Sequence, residues 1–247
     1  NYLLSKMNMP HVEAIHAAHQ FVKRQLGVIL SDHFMTVYQQ CIDDDAYQYN
    51  VESMARRSLK NVCLSYLTAT EQQPFIDLAV KQFDASDNMT DTIGALQALN
   101  HYEGPERLDR LNAFYECWKS EPLVVNKWLN LHATSSLPDT FESVKLLLNH
   151  PAFDMNNPNN VYALLCGFCV NQIRFHDVSG ETYQFIADQV LSLDPKNPQV
   201  AARLLQSLIT WQQLDAQRGE QMRVQIERIS KTDGISSDIY EISTKSK

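Results

Sequence analysis

The segment Asn-Pro-Gln-Val-Ala-Ala-Arg at residues 197–203 predicts the start of a helix. Asn197 can cap this helix by accepting hydrogen bonds from backbone N–H groups, and Pro198 supplies a fixed φ in the first turn. Gln199 and Arg203 are four residues apart, so their side chains project from one face of the helix. Because a helix N-terminus favours anionic groups, the two side chains form a candidate site for a carboxylate. The alternative is that both belong to an ordinary solvated face.

The same start signal, Asn-Pro, also occurs 40 residues earlier at Asn157-Pro158. Each copy precedes an apolar helix, a polar turn and a second helix. This period is close to the two-helix unit of HEAT and armadillo repeats. Because the intervening turns are short, we expect successive helices to fold back as antiparallel neighbours.

Helical periodicity continues along the rest of the chain, and no segment shows the alternation of a strand. The predicted helices cover about 10–26, 28–41, 51–68, 71–84, 88–100, 105–119, 122–133, 139–149, 158–172, 180–193, 198–213, 216–231 and 237–245. We therefore predict an all-α fold, an α-solenoid of stacked antiparallel helix pairs like the HEAT and armadillo superhelices. A globular helical bundle is the alternative.

The first predicted helix and the acidic turn after the second suggest how the chain is organised. The apolar residues of the first helix that share one stripe are Val12, Ile15, Ala18, Phe21, Val22 and Leu26. The run Asp43-Asp44-Asp45 is a candidate boundary. We expect an opening helical hairpin over residues 1–45 and the main array of helix pairs over residues 46–247, within a single domain.

Composition argues against several classes of protein. The net charge of −8 argues against a general nucleic-acid binder, because such binding needs a basic surface. No apolar run approaches the roughly 18 residues that would cross a bilayer, so no membrane partner is expected. The five cysteines are odd in number and scattered through apolar runs, which is typical of reduced thiols in a cytoplasmic protein.

Two groups of residues resemble reactive motifs but lack the required pattern. A zinc-peptidase helix needs two histidines four residues apart with a glutamate directly after the first, whereas His11 and His16 are five apart. His16 and His19 could bind a metal weakly, although no third ligand is evident. Cys166 and Cys169 have redox spacing but lie inside an apolar helix, which favours packing. These residues alone therefore indicate a non-catalytic helical scaffold.

Six ordered blocks of sequence resemble the C-terminal domain of the bacterial aminopeptidase N family, which are zinc metallopeptidases of the gluzincin type. The blocks are 56–64, 87–91, 123–128, 156–159, 175–176 and 197–201. Their order and spacing cover nearly the whole chain. The resemblance implies that this chain is a helical domain of such an enzyme, separated from its catalytic part.

The resemblance also implies where the chemistry lies. In this family the zinc ligands and the glutamate base belong to an upstream catalytic domain of the same polypeptide. The C-terminal domain covers the active-site chamber and admits peptide substrates, while the intact enzyme uses zinc to remove N-terminal amino acids from short peptides. No catalytic residue and no cofactor is therefore expected in this chain itself.

Three residues match family positions that face the downstream side of the substrate. Gln199 and Arg203 agree with the bacterial pattern, but Tyr162 occupies a place where arginine is usual. A cation that could meet a peptide carboxylate is thus missing, and Arg203 is left to act alone. The alternative to the enzyme domain is a stand-alone α-solenoid that binds a protein or peptide. That alternative predicts a gene of about this length, without an upstream zinc-binding helix.

Overall fold

Helices account for all the regular structure in the computed structural model, which describes residues 11–42 and 47–245. Their bounds are α1 Val12–Ile29, α2 Ser31–Gln40, α3 Val51–Thr68, α4 Gln73–Ala85, α5 Met89–Leu99, α6 Pro105–Trp118, α7 Pro122–Thr134, α8 Thr140–Leu147, α9 Pro158–Val161, α10 Gly167–Cys169, α11 Gln172–Phe175, α12 Glu181–Leu193, α13 Pro198–Leu205, α14 Ala216–Ser230 and α15 Ser237–Lys245. A π-helical segment, Tyr162–Cys166, joins α9 to α10. Since these ranges contain no strand, the predicted all-α class is confirmed.

Asparagine caps begin several of these helices, as the Asn-Pro signal predicts. The Asn197 side chain accepts a hydrogen bond from the backbone N–H of Val200, at 3.2 Å. The Asn157 side chain does the same for Asn159, at 3.0 Å. Each cap satisfies a donor that the first helical turn leaves without a partner inside the helix.

The described residues between 17 and 119 form one compact unit, which contains a buried polar network. Lys60 Nζ donates to Asp91 Oδ2 at 2.8 Å, and both side chains are almost fully buried. Gln82 Nε2 donates to the backbone carbonyl of Asp91 at 2.9 Å, and the Tyr38 hydroxyl donates to Gln82 Oε1 at 3.0 Å. The network joins α2, α3, α4 and α5. Beside it lies an apolar core that includes Leu64.

The described residues 11–16 and 120–245 form the second unit, whose core is rich in aromatic rings. The Phe175 ring lies 6.1 Å from that of Phe168 and 5.4 Å from that of Tyr183, and both contacts are edge-on. Edge-to-face packing of this kind adds to the stabilisation from burial. At the edge of this unit, Arg218 on α14 forms an ion pair with Glu13 on α1 and donates to the carbonyl of His176 at 2.6 Å.

Two predicted helices are shorter than expected. The helix predicted over 158–172 changes to a π-helix at Tyr162 and stops at Cys169. The helix predicted over 198–213 ends at Leu205, followed by turns and a 3₁₀ segment. The Ser207 hydroxyl donates to the Leu204 carbonyl at 2.8 Å, and such local bonds compete with the helical ladder.

The expected boundary at Asp43-Asp44-Asp45 lies outside the described residues. The division into an opening hairpin over 1–45 and an array over 46–247 therefore stays a prediction. Within the described ranges, every helix is too short or too polar to cross a membrane.

Candidate functional site

The π-helical segment Tyr162–Cys166 ends at a residue that lines the candidate site, Cys166. Here the Gly167 N–H donates to the carbonyl of Tyr162, which is five residues earlier. In an α-helix the acceptor would be four residues earlier. Asn130 on α7 donates from Nδ2 to the carbonyl of Ala163 at 3.3 Å. A Cβ added to Gly167 would lie 2.7 Å from Asn130 Nδ2, so glycine permits this close approach. Single π-helical turns occur frequently at functional sites.

Helix α13 and the turns after it form the opposite wall. Gln199 and Arg203 both project into solvent from this eight-residue helix. Because the helix is shorter than predicted, Arg203 lies in its last turn rather than near its start. A cation in the last turn of a helix interacts favourably with the helix dipole.

A groove of about 410 Å³ lies between these two walls. Its floor is mainly apolar and sulphur-containing, and its rim carries amide and hydroxyl groups. The lining residues are Cys166, Cys169, Val170, Gln172, Phe175, His176, Arg203, Leu204, Gln206, Ser207, Thr210, Gln213 and Leu214. Arg203 is the only Lys or Arg among them, and none is Asp or Glu. Within the part of the chain that the structure describes, no carboxylate lies within ion-pair distance of Arg203.

Burial keeps the titratable groups of the groove floor uncharged near neutral pH. Burial raises the pKa of the Cys166 thiol to about 11, although the nearby Arg203 guanidinium opposes the shift. Burial also raises the pKa of the Cys169 thiol. Burial, with the Arg218 charge, lowers the pKa of His176 to about 4. The guanidinium of Arg203 is therefore the charge that a ligand in the groove would meet.

These thiols have the opposite character to a redox pair. A reactive dithiol needs a thiolate stabilised by its surroundings, whereas here both pKa values are raised. All five cysteines are free. Cys166 and Cys169 thus pack in the groove floor.

The three substrate-facing residues predicted from the sequence differ in their position relative to the groove. Arg203 lines the groove, whereas Gln199 and Tyr162 do not. Tyr162 is 40% exposed and lies about one turn before Cys166 on the π-helical segment. Gln199 and Arg203 share one exposed face of α13.

Sequence reasoning missed the amide side chains Gln172, Gln206 and Gln213. They lie on three different elements, so no spacing in the sequence relates them. On the wall opposite α13, the groove residues that the sequence singled out are Cys166, Cys169, Phe175 and His176.

A zinc site does not fit the described residues. No three His, Cys, Asp or Glu side chains within residues 11–42 and 47–245 come together so as to hold a metal ion. His16 and His19 therefore have no third ligand of these types among the described residues. No step of chemistry through zinc can be assigned to them.

Comparison with known proteins relates this chain to a family. A family model described as a domain of unknown function with ARM repeats (DUF3458_C) matches residues 1–247. The chain belongs to this family. The ARM-repeat description confirms the predicted solenoid of helix pairs.

Curated relatives of this ARM-repeat domain are aminopeptidases. Aminopeptidase N of Haemophilus influenzae is 36% identical over 230 residues, which are 93% of this chain and 26% of the relative. Aminopeptidase N of Escherichia coli is 34% identical over 233 residues, 94% of this chain and 27% of the relative. The ARM-repeat domain thus spans about a quarter of the length of these relatives.

A solved structure agrees with the sequence comparison. The crystal structure of Legionella pneumophila aminopeptidase A in complex with aspartic acid matches with a TM-score of 0.89 and 32% identity. The match covers 99% of this chain and 30% of that one. Together the comparisons confirm the resemblance to the C-terminal domain of the aminopeptidase N family.

Proposed function

We propose that this ARM-repeat domain is a non-catalytic part of a zinc aminopeptidase, where it covers the active-site chamber and gates the entry of peptides. The observation that supports this most strongly is the similarity to aminopeptidases over more than nine-tenths of the chain. The relatives are about four times as long, which leaves room for a catalytic domain upstream in the same polypeptide. The five free thiols favour a cytoplasmic location for the enzyme.

In the intact enzyme, zinc held by the catalytic domain would activate water against the first peptide bond. The role of this domain would be to close the chamber around short peptides. A closed chamber excludes bulk water and selects substrates by size. Such an enzyme would release single amino acids. The Legionella pneumophila relative was crystallised in complex with a single amino acid, aspartic acid, which agrees with this expectation.

Within this function, the groove would contact the downstream end of a peptide. Arg203 presents a guanidinium without a competing carboxylate in the described residues, and the rim offers amide groups such as Gln206. A guanidinium and a carboxylate form a strong, charge-assisted hydrogen bond. We therefore assign Arg203 to the C-terminal carboxylate of the substrate, with Gln199 and Tyr162 flanking it.

Kinetics of the Arg203→Ala variant in the complete polypeptide test this assignment. The substrates are matched tripeptides and tetrapeptides with a free or an amidated C-terminus. Loss of a charge-assisted hydrogen bond of about 1.5–3 kcal/mol should lower kcat/KM for the free acids roughly 10- to 100-fold. The amidated peptides should be cleaved almost as well as by the unchanged enzyme.

Two further variants make the result specific. Arg223→Ala removes an exposed arginine of the same unit that pairs with Glu220 outside the groove, and it should alter neither class of substrate. Tyr162→Arg should improve cleavage of the free acids only. Equal kinetics of Arg203→Ala and the unchanged enzyme on free acids would show that the groove does not contact the carboxylate. An equal loss on both classes would assign Arg203 a structural role.

A further inference from the structure

The groove wall opposite α13 includes a short segment with little regular structure. Four of the residues that line the groove, Val170, Gln172, Phe175 and His176, lie within positions 170–176. The helix in this segment is α11, which has four residues. So short a helix is not stable by itself, because too few backbone hydrogen bonds repay the cost of its first turn. The wall therefore depends on contacts with a neighbouring element.

Asn171, between two of these groove residues, provides such a contact. Its side chain is buried, and Nδ2 donates to the Ala133 carbonyl at 3.0 Å and to the Ser135 carbonyl at 2.6 Å. An asparagine that directly precedes a helix commonly caps that helix. Asn171 directly precedes α11, yet its side chain makes no capping bond to it. The amide is instead bonded to the end of α7.

The acceptors of these bonds are carbonyl groups at the C-terminus of α7. Ala133 lies in the last turn of that helix, and Ser135 follows it. The last four carbonyls of a helix have no partner inside the helix. Arg174 adds a bond of the same kind, from Nε to the Ser136 carbonyl at 2.7 Å. We call the three bonds from Asn171 and Arg174 the α7 clamp.

We propose that Asn171 is a positioning residue of the groove, which holds Val170 and Gln172 where a bound peptide meets them, on the wall opposite Arg203. The proposal rests on the proposed function, since it needs a peptide in the groove. Asn171 does not line the groove itself and acts through its two neighbours in the chain. Because buried donors and carbonyls lose free energy when unpaired, the α7 clamp fixes this wall in one position.

A positioning role has a kinetic signature that a purely structural role lacks. The groove would contact the downstream end of a peptide, away from the bond that is cleaved. Loss of a contact made equally in the bound substrate and in the transition state raises KM and leaves kcat unchanged. A substrate without a downstream residue does not reach the groove, so its cleavage should not depend on Asn171. A loss of folded enzyme would instead lower the rates for all substrates.

The variant Asn171→Asp tests the proposal within the longer polypeptide that the proposed function requires. At about pH 8 the ionised carboxylate has nearly the same shape as the amide but cannot donate to either carbonyl. The matched control is Asn160→Asp. Asn160 is also buried and donates from Nδ2 to Asn126 Oδ1 on α7, at 2.7 Å. Neither Asn160 nor its chain neighbours line the groove.

The two substrates are a tetrapeptide and an amino-acid p-nitroanilide, which has no downstream residue. We expect Asn171→Asp to raise KM for the tetrapeptide roughly tenfold, with kcat within about twofold of the unchanged enzyme. Its kinetics on the p-nitroanilide should also stay within about twofold. Asn160→Asp should show no difference between the two substrates. An unchanged KM for the tetrapeptide in Asn171→Asp, or an equal loss of kcat on both substrates, would overturn the proposal.

A second variant and a second measurement apply if Asn171→Asp folds poorly. Arg174→Ala removes one bond of the α7 clamp and should raise KM for the tetrapeptide about two- to fivefold, again without an effect on the p-nitroanilide. Maleimide labelling of Cys166 and Cys169, followed by mass spectrometry, reports the wall directly. Both thiols should react at least about fivefold faster in Arg174→Ala than in Asn160→Asp. Equal labelling rates would overturn the proposal.

Arg203→Ala in the same assays separates this proposal from the proposed function. A raised KM for the tetrapeptide in Arg203→Ala, but not in Asn171→Asp or Arg174→Ala, would overturn the positioning role alone and leave the proposed function standing. A longer polypeptide that cleaves neither substrate would overturn the proposed function, and the positioning role with it.

Discussion

His176 is the residue whose burial has the clearest consequence for stability. Its ring Nδ1 lies 2.9 Å from the Tyr183 hydroxyl, and the ring is 4% exposed. Burial and the Arg218 charge lower its pKa from 6.5 to about 4, so the folded protein keeps the ring neutral. The unfolded chain takes up a proton near pH 6.5, whereas the folded chain does so only near pH 4. Protonation therefore favours unfolding progressively as the pH falls between these two values.

We expect the free energy of unfolding to fall by about 2 kcal/mol between pH 7.5 and pH 5 through this residue. Urea unfolding followed by circular dichroism at both pH values measures the change. His176→Gln removes the titration, so this variant should lose that part of the pH dependence even if it is less stable at pH 7.5. An unchanged pH dependence in His176→Gln would show that other groups cause it.

At the scale of single residues, sequence reasoning predicted local features well. The Asn197 cap and the shared exposed face of Gln199 and Arg203 follow from spacing within one helix. The contact of His176 with Tyr183 and the position of Gln172 in the groove depend on how separate elements pack. A single sequence contains no direct signal for such contacts.

The crossing of α1 and α3 depends on the absence of a side chain at Gly27. In an exposed helix, Gly→Ala stabilises by about 1 kcal/mol because alanine is the better helix former. Here the added Cβ would meet the Tyr66 carbonyl, which is rigid backbone. We expect Gly27→Ala to destabilise residues 17–119 by about 1–3 kcal/mol, the cost of an overpacked contact.

Urea unfolding measures this difference, and its sign is diagnostic. Ala17→Gly, at an exposed position of the same helix, reports helix propensity alone and serves as the control. Stabilisation by Gly27→Ala would show that the two helices do not cross as closely as described.

At the scale of elements, the sequence predicted the positions of most helices but not the irregular ones. The predicted helix 51–68 coincides with α3, because Asn50 caps it and its period is regular. The π-helical turn at Tyr162–Cys166 was not predicted, since the residues around it are apolar on several sides and the periodicity does not report the bonding pattern. The side chain of Asn130, which lies on a different helix, donates a hydrogen bond to the Ala163 carbonyl in this π-helical turn.

For the whole molecule, the proposed function predicts that the 247-residue chain has no peptidase activity of its own. We expect no release of amino acids from amino-acid amides or short peptides. The longer polypeptide should cleave the same substrates and lose this activity with a zinc chelator. Chelator-sensitive cleavage by the purified 247-residue chain would contradict the prediction.

The fold of the whole molecule was predictable because it repeats. Two Asn-Pro starts 40 residues apart and continuous helical periodicity were enough to predict a solenoid. The division of the described structure into two units was not predictable, since residues 11–16 join the second half of the chain and leave residues 17–119 as a unit of their own. Such long-range pairing leaves no local pattern.

The ion pair between Glu13 and Arg218 has a consequence for how the protein is made. Its two partners are separated by 205 positions in the chain. At about 5–20 residues per second, a ribosome needs roughly 10–40 s to synthesise the intervening segment. Residues 17–119 leave the exit tunnel during that interval and can fold first. The unit that contains Glu13 and Arg218 is thus completed after residues 17–119 have been synthesised.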